Sequence, residues 1–477
     1  MARFLAACSR LSLLTLAALV SVLGGCSDSD DDCARDAQAS FEARAPFDAR
    51  ARVRRVDCAF RGNVVGLGVE ADGSTWLRRV EYEDHGVDSF YYPPVKLLTH
   101  VGPGGELLGE LKMPEFIQDF VVHPSGELTV FGWERTESQL EIQLRRLRPD
   151  GTVIAEGMLR NDVPPEERLT FNGMPDGRVV KTQEPDEERA LGVLVIRPSG
   201  EDVYVLAGMD GLRLLRLDSR LRTQWTSVVA PSVILKAATR EQMSAMGAPF
   251  TGFGLTVDEA DRAHVATPFL GVHRRAYEEA MRRLPEGPEG RGILVSSFEP
   301  TGAWLGARTV PTETADEIAS LVVGGGAYAL GGRTSKPVEQ DDKSRETNLF
   351  FASGRFDRPA QEVVTRDFSL DRDETAAALV PCGAAHYCLT GHTGYVDLDT
   401  GRTQDNGKGF ILRLDAQGAQ QDLLLLEGQR DTQVLLAAGG PGGSVVFAFS
   451  TNEASNLSRV ADHLKNNEVW LGVFGGP

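Results

Sequence analysis

Four residues of metal-ligating type crowd one short stretch, Cys382-x3-His386-x-Cys388-x3-His392. If the stretch is a strand, His386, Cys388 and His392 share one face. Zinc takes such ligands at tetrahedral corners, but this spacing matches no zinc knuckle. Asp397-x-Asp399-x-Gly401 opens like a calcium loop. There, Gly401 stands where an oxygen ligand is needed, and no Glu closes the loop. The pairs Asp341-Asp342 and Asp371-x-Asp373 have the type required for acid and base work, and read as solvated loop charges. The sequence holds no G-x-S-x-G elbow, no H-E-x-x-H and no phosphate-cradling loop. No catalytic residue, metal site or cofactor is assigned on this basis. A site built from carboxylates and Arg on several strands would leave no local motif.

The remaining candidates are aromatic. Phe90-Tyr91-Tyr92-Pro93-Pro94 sets two of the chain's 8 Tyr side by side. Tyr277 falls in a helical pattern over His273 to Leu284, ended by Pro285 and Gly287, and Tyr395 follows the Cys/His stretch. Tyr offers large contact area with a polar tip, the chemistry of a protein or glycan anchor. The alternative role for all four is to pack loops onto the body.

Charge removes one class of partner. The chain carries 68 Asp+Glu against 50 Lys+Arg, a net charge of −18, with no basic run. Nucleic-acid binding rests on clustered Lys and Arg, so no nucleic-acid partner is expected.

The N-terminus reads as an address. Arg3 and Arg10 precede an apolar run from Leu11 to Leu23, too short to span a bilayer. It ends in Leu23-Gly24-Gly25-Cys26, which resembles the lipobox of bacterial lipoproteins. The resemblance implies removal of residues 1–25 and lipidation of Cys26, the contact with the membrane. Ser27 in place of the retention-type Asp implies the outer membrane. Residues 26–50, with Asp28 and Asp30 to Asp32, form an acidic tether; clusters of this kind resemble surface-export tethers and equally suit a solvated spacer. With Cys8 removed and Cys26 acylated, Cys33, Cys58, Cys382 and Cys388 remain in an oxidising compartment. Three pairings are open to them, and sequence distance favours Cys33–Cys58 and Cys382–Cys388.

The elements that would position these residues are short strands. From about residue 60 one theme repeats: apolar strand, turn, apolar strand. One set of turns falls at Asp72-Gly73, Ser125-Gly126, a site in 175–200, Ala260-Asp261, Gly324-Gly325, Gly383-Ala384 and Gly440-Pro441. A second set follows Arg-Leu strands, as in Leu144-Arg145-Arg146-Leu147-Arg148-Pro149-Asp150-Gly151 and Ile411-Leu412-Arg413-Leu414-Asp415. Gly, Pro and Asp supply the geometry joining antiparallel strands. Two hairpins make a four-stranded unit, and regular four-stranded units point to an all-β chain folded as a single β-propeller over 51–477. Seven blades are expected. The stretch 165–230 holds about six strands and leaves an eighth open. The last unit, 432 to 476, is one strand short, and Ala51 to Phe60 can complete it, closing the ring with both termini.

Lipobox and repeats together make the chain similar to bacterial outer-membrane lipoproteins with β-propeller bodies. Long insertions near 80–95, 270–291, 333–347, 393–408 and 452–467 share one slot, between the two hairpins of a unit, so one face should be elaborate and the other plain. The expectation is a binding scaffold for a protein or glycan, with a polysaccharide hydrolase or lyase in the channel and a periplasmic assembly scaffold as alternatives.

Overall fold

The computed structural model describes residues 51–55, 63–81, 95–113, 117–135, 140–159, 170–173, 179–182, 192–209, 211–230, 252–270, 274–281, 291–312, 315–335, 347–358, 362–370, 374–383, 385–394, 396–397, 402–403, 407–426, 431–452 and 468–475. They form seven four-stranded antiparallel sheets, the blades of a propeller. The chain opens with β1 (Ala51–Arg55), then builds blade I from β2 (Asn63–Val69), β3 (Thr75–Glu81), β4 (Val95–Val101) and β5 (Leu107–Met113). Blade II contains β6 (Ile117–Val122), β7 (Leu128–Arg135), β8 (Leu140–Leu147) and β9 (Val153–Leu159). A separate hairpin follows, β10 (Thr170–Gly173) with β11 (Val179–Thr182). Blade III is β12 (Gly192–Ser199), β13 (Asp202–Met209), β14 (Gly211–Leu217) and β15 (Thr223–Ala230). The six strands of 165–230 are therefore one blade and one hairpin, and the count stays at seven.

Blade IV runs through β16 (Gly254–Val257), β17 (Ala263–Leu270), the helix α1 (Arg274–Met281), β18 (Arg291–Phe298) and β19 (Trp304–Pro311). Blade V has β20 (Ala315–Gly324), β21 (Ala327–Ser335), β22 (Thr347–Arg355) and β23 (Val364–Phe368). Blade VI consists of β24 (Thr375–Pro381), β25 (His386–His392), β28 (Gly409–Asp415) and β29 (Gln420–Leu426). Its insertion carries a small ladder of β26 (Val396–Asp397) and β27 (Arg402–Thr403). Blade VII joins β30 (Asp431–Gly439), β31 (Val445–Asn452) and β32 (Glu468–Phe474) to β1, which pairs Ala51 with Phe474 and Arg55 with Trp470. The N-terminal strand thus closes the ring as its sequence position predicts. The first strands of neighbouring blades touch one another around the whole ring and wall a central channel.

Strand alternation explains the core. Along β13, Val203, Val205 and Ala207 pack against blade II, whereas Tyr204 and Leu206 pack against blade IV. Along β31, Val445, Phe447 and Phe449 face blade VI, and Val446 and Ala448 face blade I. A period of two buries both faces of a sheet when each is covered by a neighbouring sheet. Each of the seven seams accordingly has its own apolar cluster.

Candidate functional site

The strand directions sort the connections. The turns between the first and second strands, and between the third and fourth, emerge on one face and are tight. The second-to-third connections and the links between blades emerge on the other, and all five long insertions are second-to-third connections, at β3/β4, β17/β18, β21/β22, β25/β28 and β31/β32.

The plain face is built from side chains that seal turns and seams. Asp72, Asp150, Asp218, Asp258 and Asp415 each accept backbone N–H groups of their own turn. Ser74, through its backbone N–H, is the leading cause holding the Asp72 carboxyl below its ordinary range, and the Asp72 turn is a plain hairpin turn. Between blades II and III, Arg146 is almost fully buried, donates to Glu127 at 2.6 Å and also binds Glu201 across the seam. His123 Nδ1 donates to the Gly200 carbonyl at 3.0 Å. Between blades III and IV, Arg216 bridges Asp202 at 2.9 Å and Asp261 at 2.8 Å, and Trp225 Nε1 donates to the Pro300 carbonyl at 2.8 Å. Between blades IV and V, Arg308 Nε donates to the Phe356 carbonyl at 3.1 Å, and His264 stacks on the Phe356 ring. These residues are consumed by structure.

The Cys/His stretch resolves the same way. Cys382 and Cys388 form a disulfide across the first turn of blade VI. His386, Cys388 and His392 do lie on one strand, β25, but Cys388 is committed to sulfur. Among the described residues, no three His, Cys, Asp or Glu side chains gather as a metal site. Cys26, Cys33, Cys58, Tyr91, Tyr92 and Tyr395 lie outside the described residues, as do Asp399 and Gly401.

Tyr277 is a correction. It does sit on a helix, α1, but its side chain is wholly buried against Phe269, and its hydroxyl donates to the Pro268 carbonyl at 3.0 Å. Burial pushes its phenol well above the ordinary range. The short helix has one apolar stripe to hide, and the tyrosine is its center. Tyr277 fastens α1 to the body.

A different group lies at the innermost strands. Asp119 stands on β6, the innermost strand of blade II, where the register with β7 slips by one residue. Arg197 stands on β12, the innermost strand of blade III, and is solvent-exposed. Arg78 comes from β3, the second strand of blade I, opposite Gly66 on β2. A Cβ at Gly66 would lie 2.9 Å from the Arg78 Cβ and 3.3 Å from its Nε, so the missing side chain lets the guanidinium pass over the innermost strand. Its Nη2 donates to the Val65 carbonyl at 3.1 Å. Asp119 is half-buried; desolvation pushes its carboxyl upward, while the charges of Arg78 and Arg197 on either side pull it down. Desolvation lowers both guanidinium values, opposed by Asp119. Farther around the ring, Glu317 on β20 pairs with Arg333 on β21 at 2.8 Å. The three-blade cluster was absent from the sequence reading. Its only local signals were a charge inside an apolar innermost strand, at Asp119 and at Arg197, and an Arg placed opposite a Gly.

No protein-family model matches this chain, and no curated protein matches it. Among solved structures it is similar to the polysaccharide lyase Uly1, with 11% identity, a TM-score of 0.47, and 92% of this chain and 95% of that one covered. It is also similar to the β-propeller domain of the Trilobed protease from Pyrococcus furiosus, with 8% identity, a TM-score of 0.41, and coverage of 86% and 94%. The WD40 domain of SCAP from fission yeast aligns at 9% identity and a TM-score of 0.35, covering 90% and 99%.

Proposed function

We propose that this protein is a lipid-anchored cell-envelope protein, held through Cys26 at the bacterial outer membrane, that presents its propeller as a scaffold for a protein or glycan ligand. The observation that supports this reading is directional. β1 runs antiparallel to β32 and begins opposite Phe474, at the plain-face end of the blade. A tether preceding Ala51 therefore leaves from the plain face, and the face with the long connections points away from it. Short tied turns toward the anchor and long connections away from it suit a binding platform.

Labelling with a radioactive fatty acid in a bacterial host tests the anchor. The wild-type chain takes up label and Cys26→Ser does not; an unlabelled wild type overturns the anchoring. Protease added to intact cells, with a periplasmic protein as leakage control, then separates an outward-facing receptor from a periplasmic assembly scaffold. For the binding role, Tyr91, Tyr92 and Tyr395 are replaced together by Ala and the protein is screened on arrays of envelope proteins and glycans. Loss of a wild-type array signal at unchanged melting temperature supports the reading. Loss of stability with an unchanged signal assigns those residues to packing.

A second reading, a hydrolase or lyase acting on polysaccharide in the channel, is favoured by the carboxylate and two guanidinium groups gathered there. Release of reducing ends, or of an unsaturated ultraviolet-absorbing product, from polysaccharides of low charge density would establish it, with Asp119→Asn as the control.

A further inference from the structure

Arg78, Asp119 and Arg197 come from three consecutive blades and meet beside the channel, yet none of them closes a turn or ties one blade's loop to the next. We propose that they form an anion site that takes the carboxylate of a small monoanionic ligand entering along the channel. This site is separate from the long-connection face and does not depend on the anchor.

Charge balance is the first argument. Two guanidinium groups flank one carboxylate, so the cluster carries one positive charge in excess. In blade V, by contrast, Glu317 on the innermost strand is paired with Arg333 at 2.8 Å. The second argument is hydrogen bonding. The Arg78 Nε is buried and has no hydrogen-bond partner among the described residues, while Nη2 is held by the Val65 carbonyl. A buried donor left without an acceptor is costly, and a ligand oxygen would satisfy it. The third is access. Arg197 is exposed to solvent on an innermost strand, with Nη1 steadied by the Ile196 carbonyl at 2.8 Å. Guanidinium forks match the two oxygens of a carboxylate. A polyanion is disfavoured, because a single excess positive charge stands in a chain of net charge −18. One carboxylate on an otherwise neutral body fits both the local excess and the global repulsion.

The probe is D-glucuronate, with acetate and D-glucose as comparisons, titrated calorimetrically into the full-length protein at low salt. Glucuronate is expected to bind saturably and glucose not to bind. Arg197→Gln, at a solvent-exposed position, should weaken glucuronate by about tenfold with an unchanged melting temperature. Asp119→Asn removes the competing charge and should tighten binding several-fold. That sign separates an anion site from a cation site, where the same change weakens binding. Equal binding of glucose and glucuronate overturns the proposal. So does an unaltered affinity in Arg197→Gln, or the absence of saturable binding by both carboxylates.

Discussion

The seams of this ring are sealed in two different ways. From blade II to blade V, the plain-face ends are locked by ionic and hydrogen-bonded side chains: Arg146 with Glu127 and Glu201, Arg216 with Asp202 and Asp261, and Arg308 with the Phe356 carbonyl at 3.1 Å, where His264 stacks on the Phe356 ring. Between blades VI and VII the seal is apolar, and a disulfide within blade VI forms part of it. Cys382 and Cys388 join Val380, Ile411, Phe447, Phe449 and Trp470 in one cluster, with Phe449 stacked on Trp470. The Pro441–Gly443 turn abuts the disulfide-bonded turn, with a Cβ at Gly443 only 2.9 Å from the Gly383 nitrogen. The polar seams join segments continuous in the chain, whereas blade VII must be completed by a strand from the opposite terminus. Large apolar area favours that closure without demanding a particular charge state.

The contrast can be tested from both sides. Trp470→Ala should have the largest effect, a loss of about 3–5 kcal/mol in urea unfolding, because it opens a cavity in the closing blade. Arg146→Ala follows, at about 2–3 kcal/mol. It strands two carboxylates at the seam, but their partial exposure reduces the cost. Arg146→Met should cost less than Arg146→Ala, since it retains the packing of the stem. Reducing the Cys382–Cys388 disulfide should remove about 2 kcal/mol, the value for a short closed loop, and should leave an Arg146 variant's loss unchanged. If the two losses are strongly non-additive, the seams are not independent.

The smallest effect is pH dependence, confined to the polar seams. Burial is the leading cause holding His123 and His264 below the ordinary imidazole value of 6.5. Both are neutral in the fold, where each donates from one nitrogen, to the Gly200 carbonyl or to Asp258, and accepts a hydroxyl at the other. As pH falls through 6.5 the unfolded chain takes up protons first. The stability present above that value is therefore lost on acidification. The melting temperature should fall between about pH 7.5 and pH 5.5, and fall less in a variant with both residues changed to Gln. An equal fall in that variant would assign the dependence to other groups.

Most of the architecture was legible because turns and alternation are local. Asp72-Gly73, Ser125-Gly126 and Gly440-Pro441 mark first turns where the fold has them, and the missing strand of the last blade is found at Ala51–Arg55. The Cys382–Cys388 pairing was legible for the same reason, since the partners stand six positions apart along one hairpin. What escaped was long-range. Arg78, Asp119 and Arg197 belong to three different blades, and only ring geometry brings them together. Tyr277 escaped because composition does not tell which face of a short helix is turned inward; its ring fills the space against Phe269.

The closing strand also determines how the molecule bears load. β1 enters at the plain-face end and lies along β32 through five paired positions, Ala51 to Arg55. Ladder hydrogen bonds run perpendicular to the strands. Tension drawn along the strand from residue 50 would thus act across those bonds together, in shear, instead of opening them one at a time. Val53, inserted in the same cluster as the disulfide, would resist the slip. A ring tethered in this way would hold its final seam under pull as a clasp does, and would release only when the whole strand slides.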